Sequence, residues 1–98
     1  MEKRFILENE SDLFSFLEDN KYKVNEVIFD SLSGAIIDGK ETAILFSVGF
    51  KDMSEDLDII FELPHGEFKS ALTKCLSLFE EIEDYDNCIP CRDFINDL

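Results

Sequence analysis

Between the Pro64-His65-Gly66 break and Asp84, apolar residues recur at Phe68, Ala71, Leu72, Cys75, Leu76, Phe79 and Ile82. Steps of three and four place all of them along one side of an α-helix. This stripe constrains the chain more than any other feature. A helix apolar on one side only must rest on a second layer. The spacing predicts a helix over 67–83.

The covering layer is readable upstream. Residues 42–50 alternate, with Ile44, Phe46, Val48 and Phe50 on one face and Ala43, Leu45, Ser47 and Gly49 on the other. Residues 57–63 alternate as well, with Leu57, Ile59, Phe61 and Leu63 inward and Asp58, Ile60 and Glu62 outward. A period of two is the mark of half-buried strands. A further strand is expected over 25–37, bent at Ser33-Gly34. Asp38-Gly39 after it reads as a type I′ hairpin. Arg4-Phe5-Ile6-Leu7 reads as a short first strand. Ser11 as N-cap and Asp12 open a helix carrying Leu13, Phe14, Phe16 and Leu17 to about Asn20. Pro90 suits the first position of a last helix holding Phe94, Ile95 and Leu98.

The order is therefore (β)αβββα(α). The expected fold is α+β: a three- to four-stranded antiparallel meander with two or three helices packed on one face. A length of 98 residues suits one domain over 1–98. No run of 18 apolar residues is present, so no membrane span is expected. The charged start at Met1–Phe5 leads into no apolar region of a secretion signal. Three cysteines without such a signal point to a reducing, cytoplasmic setting, that of the host cell if the chain is phage-encoded.

Charge supplies the functional clue. The chain carries 23 Asp+Glu against 9 Lys+Arg, a net charge of −14. Phosphate would repel such a surface, so direct nucleic-acid binding is not expected. A domain of this size is on the order of 30 Å across. B-DNA of that length holds ~18 phosphates, a number close to the 23 carboxylates here. The acids concentrate in two clusters. The first is Asp52, Glu55, Asp56, Asp58 and Glu62, in the loop before the last strand and on that strand's outer face. The second is Glu80, Glu81, Glu83, Asp84 and Asp86, with Tyr85 among them, at the end of the long helix. A helix C-terminus favours bases, and Glu80 and Asp84 at i,i+4 repel each other. Arrangements that oppose local stability point toward function. The plainer reading is a solvated loop after a helix that stops near Phe79.

Other chemistry finds little footing. His65 stands in a turn without a nucleophile elbow or an orienting acid. No phosphate-binding glycine loop occurs. The stretch from Asp52 to Glu62 lacks the glycine and terminal Glu of a calcium loop. Cys88-Ile-Pro-Cys91 is a C-x-x-C, and with Cys75 and His65 it offers four candidate zinc ligands. Its acidic neighbours Asp84, Asp86 and Asp93 oppose a thiolate, and Cys75 falls on the apolar stripe. No cofactor and no enzymatic activity are expected.

No motif assigns the chain to a family. Its profile is similar in type to phage-encoded anti-restriction and anti-CRISPR inhibitors, and to bacterial immunity proteins that neutralise nuclease toxins. The leading expectation is a small acidic inhibitor that occupies a basic nucleic-acid-binding surface of a larger protein, as a partial DNA mimic. An immunity protein or antitoxin is the first alternative, and a redox or zinc protein using Cys88 and Cys91 the second. A homodimer through the outer strand face is left open.

Overall fold

A computed structural model describes residues 3–52 and 58–98. The chain runs β1 (Arg4–Leu7), α1 (Leu13–Asp19), α2 (Lys21–Ile37), β2 (Thr42–Phe50), β3 (Ile59–Pro64), α3 (Phe68–Glu81) and α4 (Tyr85–Asp97). Short 3-10 turns, Glu10–Asp12 and His65–Glu67, precede α1 and α3. The class is α+β, as expected.

Two expectations about the strands are corrected. First, residues 25–37 are helical and belong to α2. Val24, Val27, Leu32 and Ala35 are buried along it, with Ile28 and Ile36 half-buried beside them. These positions follow steps of three and four, and burying that face on the sheet outweighs the strand preference of Val and Ile. Gly34 sits inside the helix and makes no bulge. Asp38-Gly39 is the helix stop rather than a hairpin. Gly39 takes φ +67°, Lys40 N–H donates to Ala35 O at 2.9 Å and Gly39 N–H to Ile36 O at 3.1 Å. This is the paired bonding of a Schellman turn, which glycine adopts at little cost.

Second, the sheet is not a meander. It has the order β1-β2-β3, with β1 parallel to β2 and β3 antiparallel to β2. A parallel neighbour needs a long crossover, and α1 with α2 supplies it. The described residues form four α-helices, one more than the upper expectation.

The strand faces also shift at one point. Ile44 pairs with Glu62 but Phe46 with Phe61, so Leu45 is an extra residue in β2. This bulge turns Ala43 and Leu45 inward and leaves Ile44 38% exposed. At the same place Ser31 of α2 donates its hydroxyl to the Leu45 carbonyl at 2.8 Å. Beyond the bulge, Phe46, Val48 and Phe50 face the core as the alternation predicts.

Ser11 does not cap α1; its hydroxyl donates to Asn9 Oδ1 instead. Pro90 lies inside α4, which starts at Tyr85. Phenylalanines join the layers. The Phe46 and Phe61 rings stack at 4.6 Å, and Phe5 meets Phe46 at 5.7 Å and Phe16 at 5.0 Å. On the helical side Phe29 meets Phe79 at 5.4 Å. The buried core holds Leu32, Val48, Phe68, Leu72, Phe79 and all three cysteines. The extents are 42 × 30 × 19 Å. A thickness of 19 Å is that of a sheet and one helical layer. The sheet's other face is open, with Ile6, Ile44 and Ile60 exposed on it.

Candidate functional site

The helix end that carries the second acidic cluster is a tight joint. α3 stops at Glu81 and Ile82 is its C-cap. Glu83 then takes φ +58°, the only non-glycine residue with positive φ among those described. Asp84 N–H donates to Phe79 O at 2.8 Å and Glu83 N–H to Glu80 O at 3.1 Å. This is the same Schellman turn as at Gly39, with a glutamate where glycine is favoured. The next residue, Asp84, is the N-cap of α4, and its carbonyl accepts from Asn87 and Cys88 N–H. Its carboxylate accepts from Asn87 Nδ2 at 2.7 Å.

This joint splits the acids by role. Glu80 and Glu81 lie in the last turn of α3, against the helix dipole. Asp84 and Asp86 lie at the start of α4, where the dipole favours them. Glu80 and Asp84 do not share one helix, so the expected i,i+4 repulsion is absent. Arg92 of α4 reaches Glu80 at 3.3 Å and Lys21 of α2 stands 3.9 Å from Glu81. Pairs as exposed as these contribute little. Glu83 and Asp86 are exposed and make no ion pair among the described residues.

Apolar side chains interrupt the acids. Tyr85 is 57% exposed, and Ile82 and Ile89 are 44% and 60% exposed. Tyr85 and Ile89 stand one helical turn apart on the same side of α4. Sequence spacing put Ile82 on the buried stripe, but α3 ends before reaching it. Asp86, Ile89, Asp93 and Asp97 then follow one outer line of α4, all exposed. Eleven residues of helix make that line about 16 Å long. Asp93 and Asp97 were missed as site residues because the helix was expected to start at Pro90.

Of the first cluster, Asp52, Asp58 and Glu62 lie among the described residues. Glu55 and Asp56 lie outside the described residues, as does Leu57, expected to face inward. Asp52 is exposed in the turn after β2. Asp58 is committed to Arg4, whose Nε and Nη2 donate to its two carboxylate oxygens at 2.5 and 2.8 Å. That guanidinium holds the Asp58 carboxyl below its ordinary range. The pair crosses directly over Gly49, where a Cβ would stand 2.8 Å from Asp58 Oδ1 and 3.0 Å from Arg4 Cζ. Glu62 is exposed on β3, opposite Ile44. Asp58 and Glu62 therefore occupy the open sheet face, whereas residues 80–86 belong to the helical layer.

The cysteines are core residues. Cys88 and Cys91 are 0% exposed and Cys75 2%. Cys91 Sγ donates to the Leu72 carbonyl at 3.2 Å. Burial pushes the Cys75 thiol up to about 12 and the Cys91 thiol up to about 11, and raises Cys88 as well. Among the described residues no group of His, Cys, Asp and Glu is arranged to hold a metal ion. His65 sits in the turn before α3 with its ring 5.0 Å from that of Phe68. No helix among the described residues is long and apolar enough to cross a membrane.

Compared with known proteins, the chain matches no family model, no curated protein and no solved structure.

Proposed function

We propose that the chain is a non-enzymatic inhibitor that seats the α3–α4 joint on a basic, nucleic-acid-binding surface of a larger protein. The observation that carries this reading is the composition of the joint. Acids surround three exposed apolar side chains, Ile82, Tyr85 and Ile89, and continue along α4 through Asp93 and Asp97. Interfaces combine such apolar anchors with a charged rim. Carboxylates of Glu81, Glu83, Asp86 and Asp93 take the place of phosphates against the partner's Arg and Lys, with Arg able to pair bidentately. The net charge of −14 steers a basic partner into contact and leaves free nucleic acid unbound. Asp58, already held by Arg4, has no part in this contact.

The test is capture of the partner on the immobilised chain, followed by titration of its DNA or RNA binding with the soluble chain. The expected result is a partner released at high salt whose nucleic-acid binding is lost at a stoichiometric amount of this protein. A partner that keeps its nucleic-acid binding when saturated overturns the mimic. A toxin whose catalysis alone is blocked would indicate the immunity function instead.

A further inference from the structure

A groove of about 420 Å³ opens between α1, α2, α3 and the ends of β2 and β3. Leu17, Val24, Ile28, Leu45, Leu63 and Leu78 line it. Its size falls within the range of small-molecule sites. Two further observations narrow what it would take.

The first is Asn25, a groove residue only 4% exposed. Its Nδ2 donates to the Cys75 carbonyl at 3.2 Å. Its Oδ1 accepts no hydrogen bond, yet no fully enclosed side-chain oxygen or nitrogen among the described residues lacks a partner. Oδ1 therefore keeps an opening to solvent, and the groove that Asn25 lines provides it. Such an oxygen accepts a hydrogen bond from water or, in its place, from the donor of a ligand in the groove.

The second is the rim. Lys21 and Lys74 stand there against one acid, Glu67. Lys74 makes no ion pair among the described residues, and Lys21 meets Glu81 only at 3.9 Å. In a chain of net charge −14 this rim is locally balanced, two lysines against Glu67 and Glu81, with Lys74 left unpaired among the described residues. Charges beyond about 8 Å are largely screened at physiological salt, so the unpaired ammonium of Lys74 is the cation that an entering acidic group meets. Lys74 disfavours a basic ligand in this groove.

We propose that this groove binds a small amphiphilic anion: an apolar body against the leucines, a hydrogen-bond donor to Asn25 Oδ1, and an acidic group at Lys74. Cys75 forms part of the wall with its thiol protonated, so the ligand is held without a covalent bond.

The probe is 8-anilino-1-naphthalenesulfonate, which has an aromatic body, one N–H donor and one sulfonate. The full chain is titrated while amide NMR shifts and dye fluorescence are followed. The expected result is saturable one-to-one binding, with shifts at Asn25, Ala71 and Leu78. Lys74→Glu, an exposed change that leaves the core untouched, weakens binding by about tenfold. Ala71→Phe fills the groove and removes the signal. Shifts centred on Ile6, Ile44 and Ile60 of the open sheet face would overturn the proposal, as would Lys74→Glu binding as well as the wild type.

Discussion

Glu83 and Gly39 occupy the same backbone position at the ends of two helices, at φ +58° and φ +67°. A side chain there costs about 1–2 kcal/mol, which glycine avoids in return for some chain entropy. Glu83→Gly should therefore raise stability by roughly 0.5–1 kcal/mol, read as a higher urea midpoint at unchanged slope. A lower midpoint would mean that the glutamate side chain holds the turn. The Arg4–Asp58 pair makes a different prediction. Its carboxyl has a lowered pKa, so its contribution is complete above the ordinary carboxylate value and is lost as pH falls through the folded value. Gly49→Ala pushes the pair apart and should return the Asp58 carboxyl toward its ordinary value in an NMR titration, with the fold intact. The thiols act at the other end of the scale. Raised to about 12 for Cys75 and about 11 for Cys91, they contribute stability that is fully present below the unfolded value near 9. It is lost as pH rises through the folded values. Unfolding should become easier between pH 9 and 11, and Cys75→Ala with Cys91→Ala should flatten that slope.

At the scale of elements, α3 was legible because its stripe is long and its spacing regular. Phe79→Ala, which removes a ring buried at 1% exposure, should cost about 3–5 kcal/mol. The two strands β2 and β3 were legible for the same reason, apart from the bulge at Leu45. α2 was not. Val24, Val27, Ile28, Ile36 and Ile37 favour strands individually, and the glycine at 34 suggested a bulge inside one. The helical spacing was present in the sequence, but its grip comes from a sheet surface that exists only after folding. The α3–α4 joint was half legible. The acids were found, but the sequence could not place the start of α4, because Pro90 is a better first residue than a sixth. Inside the helix it removes the N–H that would reach the Asp86 carbonyl. Packing of Cys88 and Cys91 on α3 outweighs that loss. Pro90→Ala should accordingly stabilise the chain by about 1–3 kcal/mol in denaturant unfolding.

At the scale of the whole molecule, described acids of the two clusters fall on the two layers of a body 19 Å thick. Asp58 and Glu62 go to the open sheet face, and Glu80 to Asp86 go to the helical layer. The match of 23 carboxylates to a DNA length is thus a property of the whole chain, and the proposed contact rests on the local set at the joint, where Ile82, Tyr85 and Ile89 stand exposed among acids. The measurement that tests this most directly compares the wild type with a chain carrying Glu81→Gln, Glu83→Gln and Asp86→Asn in displacing nucleic acid from the captured partner. None of the three residues supports the core, so the variant keeps its fold by circular dichroism. The account predicts at least a tenfold loss of displacement, on the order of 1.4 kcal/mol or more, with a weaker dependence on salt. Displacement by the variant at the wild-type concentration, with the same salt dependence, would contradict it.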